Sequence, residues 1–215
     1  MFQDPDDVRK SDDVTQHGGR IRSFKHERGN WATHVYVPCQ PHEEFQDLLE
    51  KMGSLLVKHG VALTTMKEFH ISQSQTVVLR HHWINPFVQS LRVRLGSMHR
   101  FLCIADRIQV YTNKERTRTF VGLEVSVGSD HLLEVVSEVD QSLKEFNLET
   151  FYQDPSFHVS LAWCVGDAAG KIEGPCLEEL QKALDAHEDA ERLTRFYAEE
   201  IRCKAGNKVF CIPLK

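Results

Sequence analysis

Apolar residues along the chain change spacing at intervals, and these changes divide it into elements. Residues 1–28 are polar and Asp-rich and offer little to bury, so they read as a disordered N-terminal tail. Trp31-Ala-Thr-His-Val-Tyr-Val37 has the aromatic and β-branched content of a strand. Phe45, Leu48, Leu49, Met52, Leu55 and Leu56 then recur at helical spacing, with Pro41 near the start and Gly60 at the end as start and stop signals. Alternation from Phe69 to Leu79 predicts a strand. Pro86 suits the first turn of a helix that runs to about Leu95, with Trp83, Phe87, Leu91 and Leu95 inward. Residues 101–111 read as a further strand.

The second half repeats this order. Phe120 to Val127 is a predicted strand, and Leu132, Val135, Val136, Val139 and Leu143 form the apolar stripe of a helix. Phe157 to Val165 is the next strand. Leu177, Leu180 and Leu184 mark another helix, and strands near 195–202 and 208–214 complete the pattern. The halves are in step: Val35 lies over Leu123 at a shift of 88, and Phe45, Leu48, Leu49 and Met52 lie over Leu132, Val135, Val136 and Val139 at 87. Few identities survive, so the repeat is one of pattern. It predicts two lobes related by a pseudo-twofold axis.

Composition changes this picture little. With 41% hydrophobic and 27% charged residues over 215 positions, the chain is an ordinary globular one. No apolar run approaches the roughly 18 residues of a membrane span, so no membrane partner is expected. The first residues form no apolar leader, which points away from secretion. Six cysteines occur without a C-x-x-C pair, mostly in apolar stretches, and read as buried reduced thiols. The net charge is −5, of which residues 1–13 supply −3. Between Arg80 and Arg118, eight cations face only Asp106 and Glu115. That local excess suits an anionic partner, or a solvated face whose charges pair elsewhere.

Candidate chemistry lies in a repeated tripeptide. His70-Ile71-Ser72 and His158-Val159-Ser160 each follow a phenylalanine, at the shift of 88 that relates the halves. A strand puts residues i and i+2 on one face, so each copy offers an imidazole beside a hydroxyl. A single His-x-Ser is usually structural. Two at equivalent repeat positions supply an acid, a base and two phosphate donors, which suffice to cleave a phosphodiester without metal.

Two His-x-Ser elements with apolar neighbours, on strands of a duplicated unit, resemble the 2H phosphoesterase superfamily. Phe69-His-Ile-Ser-Gln-Ser, Val78-Leu-Arg-His-His-Trp-Ile, Tyr111-Thr-Asn, Thr117-Arg-Thr-Phe and Phe151-Tyr-Gln-Asp-Pro-Ser-Phe-His-Val-Ser-Leu-Ala-Trp are similar to strings in its branch that trims U6 small nuclear RNA. The similarity covers about Gly29 to Lys215. It implies a single bilobal domain over 29–215 of α+β class. Its two pseudo-symmetric lobes would each be an antiparallel sheet with helices on the outer face, and the catalytic groove would lie between them. It also implies a nuclear 3′-to-5′ exoribonuclease of lyase type, acting without cofactor on the single-stranded, oligouridine 3′ end of U6 RNA. The product would be a 2′,3′-cyclic phosphate, and the protein is expected to work as a monomer. The catalytic histidines of the superfamily carry over to His70 and His158, and its phosphate-binding hydroxyls to Ser72 and Ser160.

Tyr152 is then the candidate platform for a base, with a packed core tyrosine as the ordinary alternative. The turn Asp154, Pro155, Ser156 and Phe157 is expected to approach the nucleotide, and Asn113 and Lys114 to touch phosphate or base. Hydrolysis of a pre-existing cyclic phosphate and a non-catalytic RNA-binding module are the competing functions. Of the remaining histidines, His81-His82 with His99 form no metal site, because neighbours on a strand face opposite ways and no Cys or carboxylate sits at ligand spacing. His17, His26 and His42 lie in polar segments, Gly18-Gly19 is linker, and the acidic run from Glu188 to Glu200 is a solvated face.

Overall fold

The computed structural model describes residues 29–215; the tail expected over 1–28 lies outside the described residues. The elements run β1 (Asn30–Cys39), α1 (Phe45–Lys58), β2 (Thr64–Thr65), β3 (Phe69–Ser72), β4 (Val77–Arg80), a 3-10 turn (His81–Trp83), α2 (Ile84–Leu95), β5 (Phe101–Thr112) and β6 (Arg118–Val127). They continue with α3 (Ser129–Glu145), β7 (His158–Val165), α4 (Ala169–Ile172), α5 (Pro175–Asp185), α6 (Ala190–Leu193), β8 (Arg195–Ala198), β9 (Glu200–Ala205) and β10 (Lys208–Pro213). This is an α+β fold. All strand pairs are antiparallel, in the order β10-β9-β1-β3-β7-β6-β5-β8, with β4 also on β1 and β2 on β7. No helix among the described residues is long and apolar enough to cross a membrane.

The repeat is visible in space. The shift that carries His70 onto His158 carries Asn30–Cys39 onto Arg118–Val127 residue for residue. The units β1-α1-β3 and β6-α3-β7 correspond, and the half-sheets meet where Ile71 pairs with Val159. Helices cover one face of the sheet through the stripes read from sequence: Phe45, Leu48, Leu49, Met52 and Leu56 of α1, and Leu132, Val135, Val136, Val139 and Leu143 of α3, are all buried. Helix α1 packs on α5 and α2 on α3, with Phe87 of α2 edge-on to Phe146 at 5.5 Å.

Two predicted strands are each broken in two. The run from Phe69 to Leu79 stops after Ser72, where the Ser74 hydroxyl replaces a backbone acceptor. It takes the Val35 N–H at 2.8 Å and donates to the Gln75 carbonyl. A side chain that mimics backbone leaves no mark in an alternation pattern. The run 195–202 also divides at Glu199, with β8 on β5 in the second lobe and β9 on β1 in the first. The thiols are all unpaired; Cys39, Cys103, Cys176 and Cys203 are buried as expected, whereas Cys164 is half-buried and Cys211 is exposed.

Candidate active site

Ile71 and Val159 are fully buried on the helix side of the sheet. Alternation therefore turns His70, Ser72, His158 and Ser160 to the opposite, open face. The antiparallel register that pairs Ile71 with Val159 does more: it sets His70 beside Ser160 and Ser72 beside His158. Each imidazole thus neighbours the hydroxyl of the other motif. Among the described residues no side chain engages either hydroxyl, so both remain donors toward the open face.

The two histidines sit differently. Equal pairing in the two lobes would match Val37–Ile71 with Val125–Val159, but the second lobe pairs Leu123 with Val159, two residues on. The slip puts Glu124 opposite His158, where Pro38 is opposite His70. Glu124 accepts a hydrogen bond from the Ser156 hydroxyl at 3.3 Å and lies 3.8 Å from Arg107. The His158 Nδ1 is 2.8 Å from the Ser156 carbonyl. A carbonyl only accepts, so Nδ1 carries the proton and the neutral ring presents Nε2 bare. Tyr111 stacks on this ring with centroids 3.8 Å apart and planes 16° apart. It reaches across Gly122, where a Cβ would come within 2.8 Å of the Val159 carbonyl and 3.4 Å of the Tyr111 ring. His70 instead contacts Tyr36 at 5.1 Å and His34 at 5.7 Å.

Burial pulls both imidazoles below the ordinary histidine value. For His70, desolvation dominates and is reinforced by His158 and Lys204 against Glu68. For His158, desolvation is opposed by the Ser156 carbonyl and Glu124. His34 falls furthest, to about 4, through burial and the neighbouring His70 and Lys204. Burial also pushes the Tyr111 phenol up to about 12.

The other expected contact residues divide. Tyr152 is 57% exposed, so it is no core tyrosine; its ring leans on Phe151 at 5.0 Å. Asp154 and Ser156 are exposed beside it and Pro155 is half-buried. Phe157 turns inward at 6% exposure, and its carbonyl is taken by the Val125 N–H. Asn113 uses its side chain to tie the β5–β6 hairpin: its amide donates to Glu115 and Thr117 and its oxygen accepts from Arg118. Lys114 stands exposed at the hairpin tip.

Pattern reading did not single out His34, Tyr36, Tyr111, Gly122 or Glu124. Alternation put Gly122 and Glu124 on one face of a predicted strand, but only the register shows which residues they meet. The basic stretch disperses. Arg94 pairs with Glu138 and Glu145, Arg100 with Glu199 and Arg116 with Asp167, while Arg107 pairs with Glu124. The reading of charges paired elsewhere therefore fits these four. His81 and His82 lie in the 3-10 turn rather than on a strand, packed against Trp31 and Trp83. No group of three or more His, Cys, Asp or Glu among the described residues is placed to share a metal ion.

A family described as HVSL, uncharacterised conserved protein, matches residues 1–213, and His158-Val159-Ser160-Leu161 spells those four letters. The chain is 71% identical over 214 residues to U6 snRNA phosphodiesterase 1 of Xenopus laevis, covering 100% of this chain and 86% of that one. It is 59% identical over 204 residues to U6 snRNA phosphodiesterase 1 of Homo sapiens, covering 95% and 77%. The fold resembles that of Kluyveromyces marxianus Usb1 with uridine monophosphate, at a TM-score of 0.61 and 15% identity, over 86% of this chain and 99% of that one.

Proposed function

The chain belongs to the U6 snRNA phosphodiesterase 1 family, and on that premise we propose that it trims the 3′ end of U6 small nuclear RNA as a 3′-to-5′ exonuclease. It is an RNA phosphodiesterase that works in the nucleus, as a monomer, on a single-stranded oligouridine end. The observation that carries the mechanism is the crossed arrangement of His70 beside Ser160 and His158 beside Ser72.

The scissile phosphate sits between the motifs. One imidazole takes the proton of the penultimate 2′-hydroxyl as that oxygen bonds to phosphorus. The bond from phosphorus to the terminal nucleotide's 5′ oxygen breaks, and the other imidazole, protonated, gives its proton to that oxygen. No water is consumed, and the shortened RNA ends in a 2′,3′-cyclic phosphate. The phosphate anion favours a proton on one of two rings that burial otherwise keeps neutral. Ser72 and Ser160 donate to the non-bridging oxygens, where charge accumulates. Tyr152 stacks on the terminal base, worth about 1–3 kcal/mol. The Asp154-Pro155-Ser156 turn flanks that base with Phe157 as its buried anchor, and Lys114, exposed on the Asn113-tied hairpin at the Val165 end of β7, is the cation offered to the RNA from that side.

The test is the mass of the products from a uridine-ended oligonucleotide with a free 3′-hydroxyl, in excess EDTA. A ladder of shortened RNAs ending in cyclic phosphate is expected, and His70→Ala and His158→Ala each slow it at least ~10²-fold. Turnover only of substrates that already carry a cyclic phosphate would overturn the exonuclease reading. Full activity in either variant would overturn the two-histidine mechanism.

A further inference from the structure

A scissile phosphate held between the two motifs has a nucleoside on each side. Tyr152 receives the terminal one on the second lobe. The nucleoside that bears the attacking 2′-hydroxyl therefore extends over the first lobe, and its own 5′-phosphate follows. There, β1 sets Tyr36 opposite Ser72, and β9 sets Arg202 opposite Tyr36 and Lys204 opposite His34. The row Ser72, Tyr36, Arg202 thus crosses three strands on the open face, from a motif hydroxyl to a guanidinium. At the usual strand spacing its ends are on the order of 10 Å apart.

A cavity of about 330 Å³ opens over the Tyr36 and Arg202 end of this row, its lining including Lys67, Glu68, Lys204 and Val209. Its floor is firm, because Tyr36 is 7% exposed and packs against the His70 ring. Neither cation is used up. Glu200 engages Arg202 through Nε at 2.6 Å and the Tyr36 hydroxyl also interacts with the guanidinium, whose five N–H groups still leave donors to spare. Lys204 meets Glu68 at 3.4 Å, and that carboxylate is itself 75% exposed, so water readily replaces it there. The Lys204 charge also acts on His34 and His70.

We propose that Arg202 and Lys204 form a subsite for the RNA phosphate one nucleotide upstream of the scissile bond. It rests on the exonuclease reading and deepens it, since it would hold the attacking nucleotide by a group that takes no part in the chemistry. An ammonium and a guanidinium supply the point charge and the fork that phosphate recognition uses.

UpU and 5′-phosphorylated pUpU differ by that one phosphate. For the unaltered protein, kcat/KM for pUpU should exceed that for UpU by about fivefold to tenfold at about 50 mM salt, and the ratio should shrink at about 200 mM. In Lys204→Gln and Arg202→Gln the ratio should fall toward one. A ratio of one in the unaltered protein, a ratio indifferent to salt, or a ratio that survives both substitutions would overturn the subsite while leaving the exonuclease reading intact. Cleavage of neither dinucleotide by the unaltered protein would remove that reading, and the subsite with it.

Discussion

His70 and His158 reach one groove from equivalent positions, yet only His158 has its tautomer fixed, by the Ser156 carbonyl, and its face covered, by Tyr111. The pair and its serines were legible in sequence because a two-residue spacing is all a strand needs to place them together. Tyr111 stood in one of the strings that carry the resemblance, but its place on His158, like that of Glu124, was not legible, because both act through a register that slips by two residues in the second lobe. Depressed proton affinity at both histidines has a measurable consequence. The reaction needs one ring charged and one neutral, and each ring gives up its proton below the ordinary histidine value. As pH rises through that lowered range the singly protonated form is lost. The profile of kcat/KM against pH should therefore be a bell centred below about 6.5. A maximum above neutrality would contradict it.

Among the elements, the helices were read best. The stripes of α1 and α3 bury the residues that periodicity nominated except Leu55, which is half-buried at the stripe's edge, because a helix needs only one apolar face to declare itself. Strands were harder, since alternation says which residues share a face and not where pairing stops. Ser74 is the instructive case: its hydroxyl stands in for a carbonyl opposite the buried Val35 N–H, and so ends β3 just past Ser72. Ser74→Ala leaves that N–H without its acceptor and should cost about 1–3 kcal/mol, read as a lower denaturant midpoint with an unchanged slope. An unchanged midpoint would mean that Val35 finds another partner.

At the scale of the molecule, the pseudo-twofold predicted from matching offsets holds for the central strands and their helices, but the outer strands are threaded differently. β5 reaches β6 by a hairpin, whereas its counterpart β9 arrives from the far edge, one residue after β8. The crossing has one sign in the sequence, a change of phase at Glu199-Glu200: Phe196 and Ala198 are buried before it and Ile201 after it, where a single strand would have buried position 200. Its mechanical effect is to lace the lobes together, and α1 on α5 and α2 on α3 do the same on the helix side. Thermal unfolding should accordingly be one transition, with calorimetric and van't Hoff enthalpies in agreement. Two resolved transitions, one for each lobe, would show that the lacing is energetically minor.

The meeting of Ile71 with Val159 also speaks to ancestry. Each half contributes one imidazole and one hydroxyl, and each imidazole is completed by the hydroxyl of the other half. A half-length forebear would have held the strand and the tripeptide but no finished centre. Two copies docked edge to edge along that strand would have held two histidines and two serines at once. Fusion of the copies would then free the pairing in one of them to slip by two residues, so that Glu124 stands opposite His158 where Pro38 stands opposite His70 and two formerly identical histidines have different neighbours.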